Sequence, residues 1–146
     1  MLNTQEVNQI VEKYVGIPFK DHGNTMEGCD CYGLVYLIYQ NEFNLYLPYV
    51  GDLYKSAYNR KEVDSLLTAN IDYHEWCVDV TSTGIYRPFD MLVFRIGGTD
   101  HHVGLYIRPD FMLHIIEGCN SGIERYNGIR WQRQLHRVIR HRDANI

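Results

Sequence analysis

Gly28-Cys29-Asp30-Cys31-Tyr32-Gly33-Leu34-Val35-Tyr36-Leu37-Ile38-Tyr39 runs from a polar loop straight into an apolar helix. This places Cys31 at or near the first helical position, where unpaired backbone N–H groups and the positive end of the helix dipole favour a thiolate. Asp30 reads as the N-cap, its carboxylate accepting orphan N–H groups of the first turn. Gly33 costs about 1 kcal/mol relative to Ala inside a helix, so it asks for close approach by a substrate or by another backbone. Most cysteines in such segments are inert core side chains. Cys31 becomes a candidate nucleophile only if a base lies downstream.

Two candidate bases lie in a strand-rich block. Met91 to Ile96 is an apolar run, Gly97-Gly98 breaks it, His101 to Ile107 forms a second run and Phe111 to Ile116 a third, with Arg108-Pro109-Asp110 as a turn between the last two. A hairpin centred on Arg108 sets His102 directly opposite His114, both projecting from one face, with Gly104 leaving that face uncluttered. Val103, Leu105 and Ile107 then share the apolar side. A register change of one residue would present His101 instead, because a slip moves every side chain to the other face. A histidine on a half-buried strand is commonly structural. Cys31, His102 and His114 together supply the nucleophile, base and orienting group that thiol catalysis needs.

Asp30-Cys31-Tyr32-Gly33-Leu34-Val35, His102-Val103-Gly104-Leu105-Tyr106-Ile107 and Met112-Leu113-His114-Ile115, in that order, resemble the three catalytic blocks of the NlpC and p-sixty family of cell-wall cysteine peptidases. The resemblance spans roughly residues 3 to 117. It implies a papain-like core in which Cys31 is the nucleophile, His102 the general base and His114 the residue that orients the base. It also implies peptidoglycan stem peptides as substrate and no cofactor. Gly16 to Gly23 and Leu47-Pro48 are similar to members found in tail-assembly genes of bacteriophages and prophages, which adds phage tail-tip proteins as expected partners. Tyr32 stands where many members carry a serine, and Cys29 adds a second thiol. Tyr14, Asp30, Tyr32 and Gly33 are the expected substrate-side residues. Rival readings are a structural tail-tip protein with the same fold and a thiol amidase or acyltransferase, since fold and triad do not fix the acceptor.

Helices first and strands second predict an α+β domain, helices packed on an antiparallel sheet. At 146 residues and 45% hydrophobic, the chain can bury one core, so a single domain over 1–146 is expected. A net charge of −4 argues against nucleic acid as the main partner. Arg125, Arg130, Arg133, Arg137, Arg140 and Arg142 fall in a run without acids, read as a solvated strand face and tail or as a dock for an anionic partner. Cys29, Cys31, Cys77 and Cys119 lack the spacing of a disulfide framework or a zinc site, so free thiols and no metal are expected.

At the amino terminus, Asn3 to Glu6 can cap a helix whose Val7, Ile10, Val11 and Tyr14 follow helical periodicity, ended by Gly16 and Pro18. No basic start precedes an apolar core, and no run approaches the roughly 18 apolar residues of a membrane span. A wall-degrading enzyme without a visible signal would be made in the bacterial cytoplasm and carried by a virion tail. Tyr54 to Leu67 reads as a helix, and Glu75 to Val80 as a short strand.

Overall fold

A computed structural model describes residues 1–48 and 75–146; the helix expected over Tyr54–Leu67 lies outside the described residues. Helix α1 covers Thr4–Tyr14 and opens on a capping box, in which Glu6 N–H donates to Asn3 Oδ1 (2.9 Å) and Asn3 N–H to Glu6 Oε2 (2.8 Å). Its buried stripe is Val7, Ile10, Val11 and Tyr14, as the periodicity predicts. A short ribbon follows, β1 (Asn24–Thr25) with β2 (Gly28–Cys29), and leads into α2 (Cys31–Phe43).

Asp30 is the N-cap of α2, and Cys31 is its first helical residue. One Asp30 carboxylate oxygen accepts from Gly33 N–H at 2.7 Å and the other from His22 N–H at 3.2 Å. The Asp30 backbone N–H donates to the Gly23 carbonyl at 3.1 Å. The helix therefore starts where the loop 20–23 crosses it. A Cβ on residue 33 would lie 1.8 Å from the Gly23 carbonyl oxygen, so the glycine answers to a neighbouring backbone. Asn44, in the left-handed region at φ 50°, ends the helix.

Among the described residues, the remaining strands are β3 (Cys77–Asp79), β4 (Met91–Ile96), β5 (Thr99–Arg108), β6 (Phe111–His114), β7 (Gly122–Arg125) and β8 (Leu135–His141). They form one antiparallel sheet of order β3-β8-β4-β5-β6-β7. Met91, Val93, Val103, Leu105, Ile107, Leu113, Ile115 and Ile139 pack with α1 and α2 in the main core. Leu92, Phe94, Tyr106, Met112 and Val138 point the other way, under Trp131 from the β7–β8 connection. Burial on both faces explains why β4 is continuously apolar over Met91–Phe94, before exposed Arg95. The fold is the expected α+β, papain-like arrangement.

The β5–β6 hairpin differs from its expected register. Leu105 pairs with Leu113 and Tyr106 with Met112, so the turn falls on Pro109-Asp110, with Asp110 at φ 76°, and is not centred on Arg108. Two residues in the turn, one of them left-handed, move the centre of the hairpin by one position. Facing partners shift by two, so His102 and His114 are diagonal neighbours on the same face, not directly opposite one another. His114 itself is flanked by two glycines. It pairs with Gly122 on β7, and a Cβ on Gly104 would lie 3.1 Å from its own Cβ.

Half of the arginine run serves the fold. Arg140 binds Asp90 through Nη2 at 2.6 Å, Arg137 reaches Asp79 at 3.4 Å and Arg125 reaches Asp110 at 3.7 Å. The four cysteines are free.

Gly33→Ala should destabilise the protein by more than about 3 kcal/mol, since the added methyl meets backbone and cannot be relieved by a rotamer change. Thermal unfolding checks this. A melting temperature within a degree or two of wild type would contradict the close approach of residues 23 and 33.

Candidate active site

Cys31, His101, His102, Arg130, Trp131 and Gln134 line part of a cleft of about 510 Å³ at the end of the sheet where α2 begins. That volume is ordinary for a small-ligand or peptide site. A bulge brings the two sides together. Phe94 pairs with His102 and Arg95 with Asp100, which leaves His101 as an extra residue in β5. Bulges of this kind re-aim groups at sheet edges. The His101 carbonyl oxygen accepts a weak contact from Cys31 Sγ at 3.9 Å. The His101 ring turns back on its own turn, with Nδ1 2.9 Å from Thr99 Oγ1 and 3.1 Å from the Thr99 carbonyl oxygen.

His102 is the histidine that meets His114. Its Nε2 lies 3.0 Å from His114 Nδ1, and both residues are 6% exposed, so the pair is shielded from water. His114 Nε2 in turn faces Glu124 Oε1 at 3.4 Å. The Trp131 indole N–H donates to both Glu124 oxygens, at 2.8 and 2.9 Å. The same indole stacks on the His102 ring, with centroids 4.8 Å apart and planes 20° from parallel. The Arg130 guanidinium lies over the Trp131 ring, 4.9 Å from its centroid.

The charges at the site favour neutral groups. Burial pushes the Cys31 thiol up to about 12, and the Asp30 carboxylate adds to this. Backbone N–H groups of Val103, Tyr32 and Cys31 pull the other way without prevailing. The expected thiolate at the helix start is therefore not the resting species, because desolvation outweighs the helix terminus here. Burial also holds His102 well below the usual histidine range, assisted by His114, His101 and Arg130. His114 is lowered by burial, with Glu124 opposing and Arg130 reinforcing the shift. A neutral thiol and a neutral imidazole lining one cleft can exchange one proton as the sulfur attacks, which is general-base activation of a nucleophile.

Residues 16–140 match the NlpC/P60 family. The chain belongs to the NlpC/P60 family. It is 25% identical over 142 residues to the murein DD-endopeptidase MepS/murein LD-carboxypeptidase of Escherichia coli K12, covering 94% of this chain and 64% of that protein. The chain thus spans just under two thirds of this relative. Its fold superimposes on the NlpC/P60 domain of the peptidoglycan hydrolase SagA (TM-score 0.61, 14% identity, 95% of this chain and 99% of the other). An NlpC/P60 protein from Bacillus cereus gives a TM-score of 0.68 at 17% identity, covering 96% of this chain and 40% of the other. RipD from Mycobacterium tuberculosis, described as a non-catalytic NlpC/P60 domain protein adapted to peptidoglycan binding, matches at 0.58 with 17% identity over 99% of each chain.

Within this NlpC/P60 fold, Cys31, His102 and His114 gather at one cleft or directly behind it. Tyr14, Asp30, Tyr32 and Gly33 do not line it. Tyr14 OH donates to Glu42 Oε1 at 2.6 Å and ties α1 to α2. Tyr32 is buried, with its hydroxyl on the Pro48 carbonyl. Asp30 is 2% exposed and spent on capping, and Gly33 abuts Gly23. Glu124 and Trp131 join the site from residues to which the sequence assigned no role, and Arg130, expected in a solvated face or an anion dock, also lies at the cleft. The alternation Gly122-Ile123-Glu124-Arg125 was the available signal, since a further strand beside His114 puts Glu124 on the histidine face.

Iodoacetamide labelling near neutral pH should reach exposed Cys119 before Cys31, reversing the order that a preformed thiolate implies. Cys31 labelling should keep climbing above the ordinary thiol pKa of about 8.5. Peptide mass spectrometry across a pH series measures both, and a Cys31 rate that levels off at or below that pH would contradict the neutral resting thiol.

Proposed function

We propose that this chain is a cysteine peptidase that hydrolyses an amide bond in the stem peptides of bacterial peptidoglycan. One observation carries the reading: His102 and His114 lie 3.0 Å apart beside the cleft that also exposes Cys31 at the first position of α2. The similarity to a murein endopeptidase over 94% of the chain supports the substrate class.

In this reading Cys31 Sγ attacks the amide carbonyl carbon while His102 takes the thiol proton. The Cys31 backbone N–H, a helix-start donor that faces the thiol, serves the developing oxyanion. His102 returns the proton to the departing amine, leaving a thioester on Cys31. Water then adds to the thioester with His102 again as base, releasing the carboxylic acid and the thiol. His114 holds the His102 ring. Since His102 stays neutral below the usual histidine range, activity should persist below about pH 6.5, the ordinary histidine pKa. Association with a phage tail rests on the resemblance of residues 16–23 and 47–48 alone, and detection of the protein in purified virions tests it.

Incubation with purified peptidoglycan and mass analysis of the soluble fragments tests the chemistry. Wild type should release fragments with new amine termini inside the stem peptide. Cys31→Ala and His102→Ala should each lower the rate by at least about 10³-fold, and His114→Gln should retain more. A chelator should leave the rate unchanged. Binding of the wild-type protein to peptidoglycan without any release would overturn the peptidase in favour of a non-catalytic wall binder.

A further inference from the structure

The geometry points to Glu124 as a positioning residue that, held by Trp131, sets the tautomer of both histidines and so leaves Nδ1 of His102 as the proton acceptor. The inference rests on the proposed peptidase chemistry for its kinetic consequence, though the tautomers themselves do not.

The direction of each hydrogen bond follows from what its groups can do. An indole N–H only donates, and an ionised carboxylate only accepts. Trp131 Nε1 donates to both oxygens of Glu124, which fixes the carboxylate as an acceptor in place. His114 Nε2, 3.4 Å from Glu124 Oε1, must then carry the proton if the two are to bond. A neutral imidazole protonated on Nε2 has a bare Nδ1. That bare nitrogen is the one 3.0 Å from His102 Nε2, so His102 donates from Nε2 and its own Nδ1 is left unprotonated. Burial keeps both rings neutral, which makes the choice of tautomer the variable that matters. Without Glu124 the opposite polarity, His114 Nδ1–H donating to His102 Nε2, satisfies the pair equally well. It would place a proton on His102 Nδ1 and abolish its capacity as a base.

Two further features bear on the arrangement. Gly104 lies beside His114 on β5, where an added Cβ would come within 3.1 Å of the His114 Cβ, so a side chain there would crowd the histidine. Trp131 acts twice, fixing Glu124 through its N–H and clamping His102 by stacking at 4.8 Å.

Nitrogen NMR of protein labelled at histidine reads the tautomers directly, with assignment from His102→Gln and His114→Gln spectra. Wild type at neutral pH should show both rings protonated on Nε2. Glu124→Gln presents an amide that can donate as well as accept. It should give mixed or reversed tautomers and lower kcat on the order of 10- to 100-fold with KM nearly unchanged, as expected of a wrong-tautomer defect one residue removed from the base. Trp131→Phe keeps the stacking ring but removes the donor, and should shift the tautomers in the same direction to a smaller extent. A proton on Nδ1 of His102 in the wild type would overturn the inference, as would Glu124→Gln with wild-type tautomers and wild-type kcat. A wild-type protein with the expected tautomers but no hydrolysis would count against the proposed function and leave the positioning role standing.

Discussion

The carboxylate of Asp30 is the interaction on which the site depends. It accepts from Gly33 N–H and His22 N–H while its own backbone N–H is tied to the Gly23 carbonyl, so one buried residue joins the start of α2 to the loop that crosses it. The consequence runs in both directions along the chain. Cys31 is held at the first helical position, with its sulfur over the β5 bulge, and Gly33 becomes obligatory because the Gly23 carbonyl occupies the space of a side chain. A cap is ordinarily worth about 1 kcal/mol, but here it also decides where the thiol sits.

That same carboxylate works against the thiolate. Burial is the larger cause of the raised Cys31 pKa, and the negative charge next to it adds to the effect, against the pull of nearby backbone N–H groups. The helix start therefore supplies placement, not ionisation. In the proposed reaction the proton is removed by His102, whose own burial keeps it neutral. Two buried neutral groups cost less desolvation than an ion pair, and in that reaction charge develops only as the sulfur attacks.

Much of this was legible in the sequence because its signals are local. The capping pattern at Asp30, the capping box at Asn3 and the apolar run that opens β4 each depend on neighbouring residues, and the structure forms all three. The common face of His102 and His114 also survived, since alternation along strands tolerates an error of two in register but not of one. What the sequence concealed depends on the return of distant chain. The exact hairpin centre required knowing that Asp110 is left-handed. Glu124 and Trp131 reach the histidines only after a further strand and a connection fold back over the second face, which no local pattern announces. The tyrosines Tyr14 and Tyr32 were plausible substrate hydroxyls by proximity in sequence, yet their partners are Glu42 and Pro48.

The central claim is that a single thiol, Cys31, attacks the substrate carbonyl and carries the acyl group. Acid quenching of the protein during turnover of soluble stem peptide, followed by intact-mass and peptide-level mass spectrometry, tests it most directly. A mass increase matching the acyl half of the substrate, localised to Cys31 and absent from His102→Ala, is the result this account predicts. Acylation of Cys29, Cys77 or Cys119, or turnover in which Cys31 never carries substrate, would contradict it.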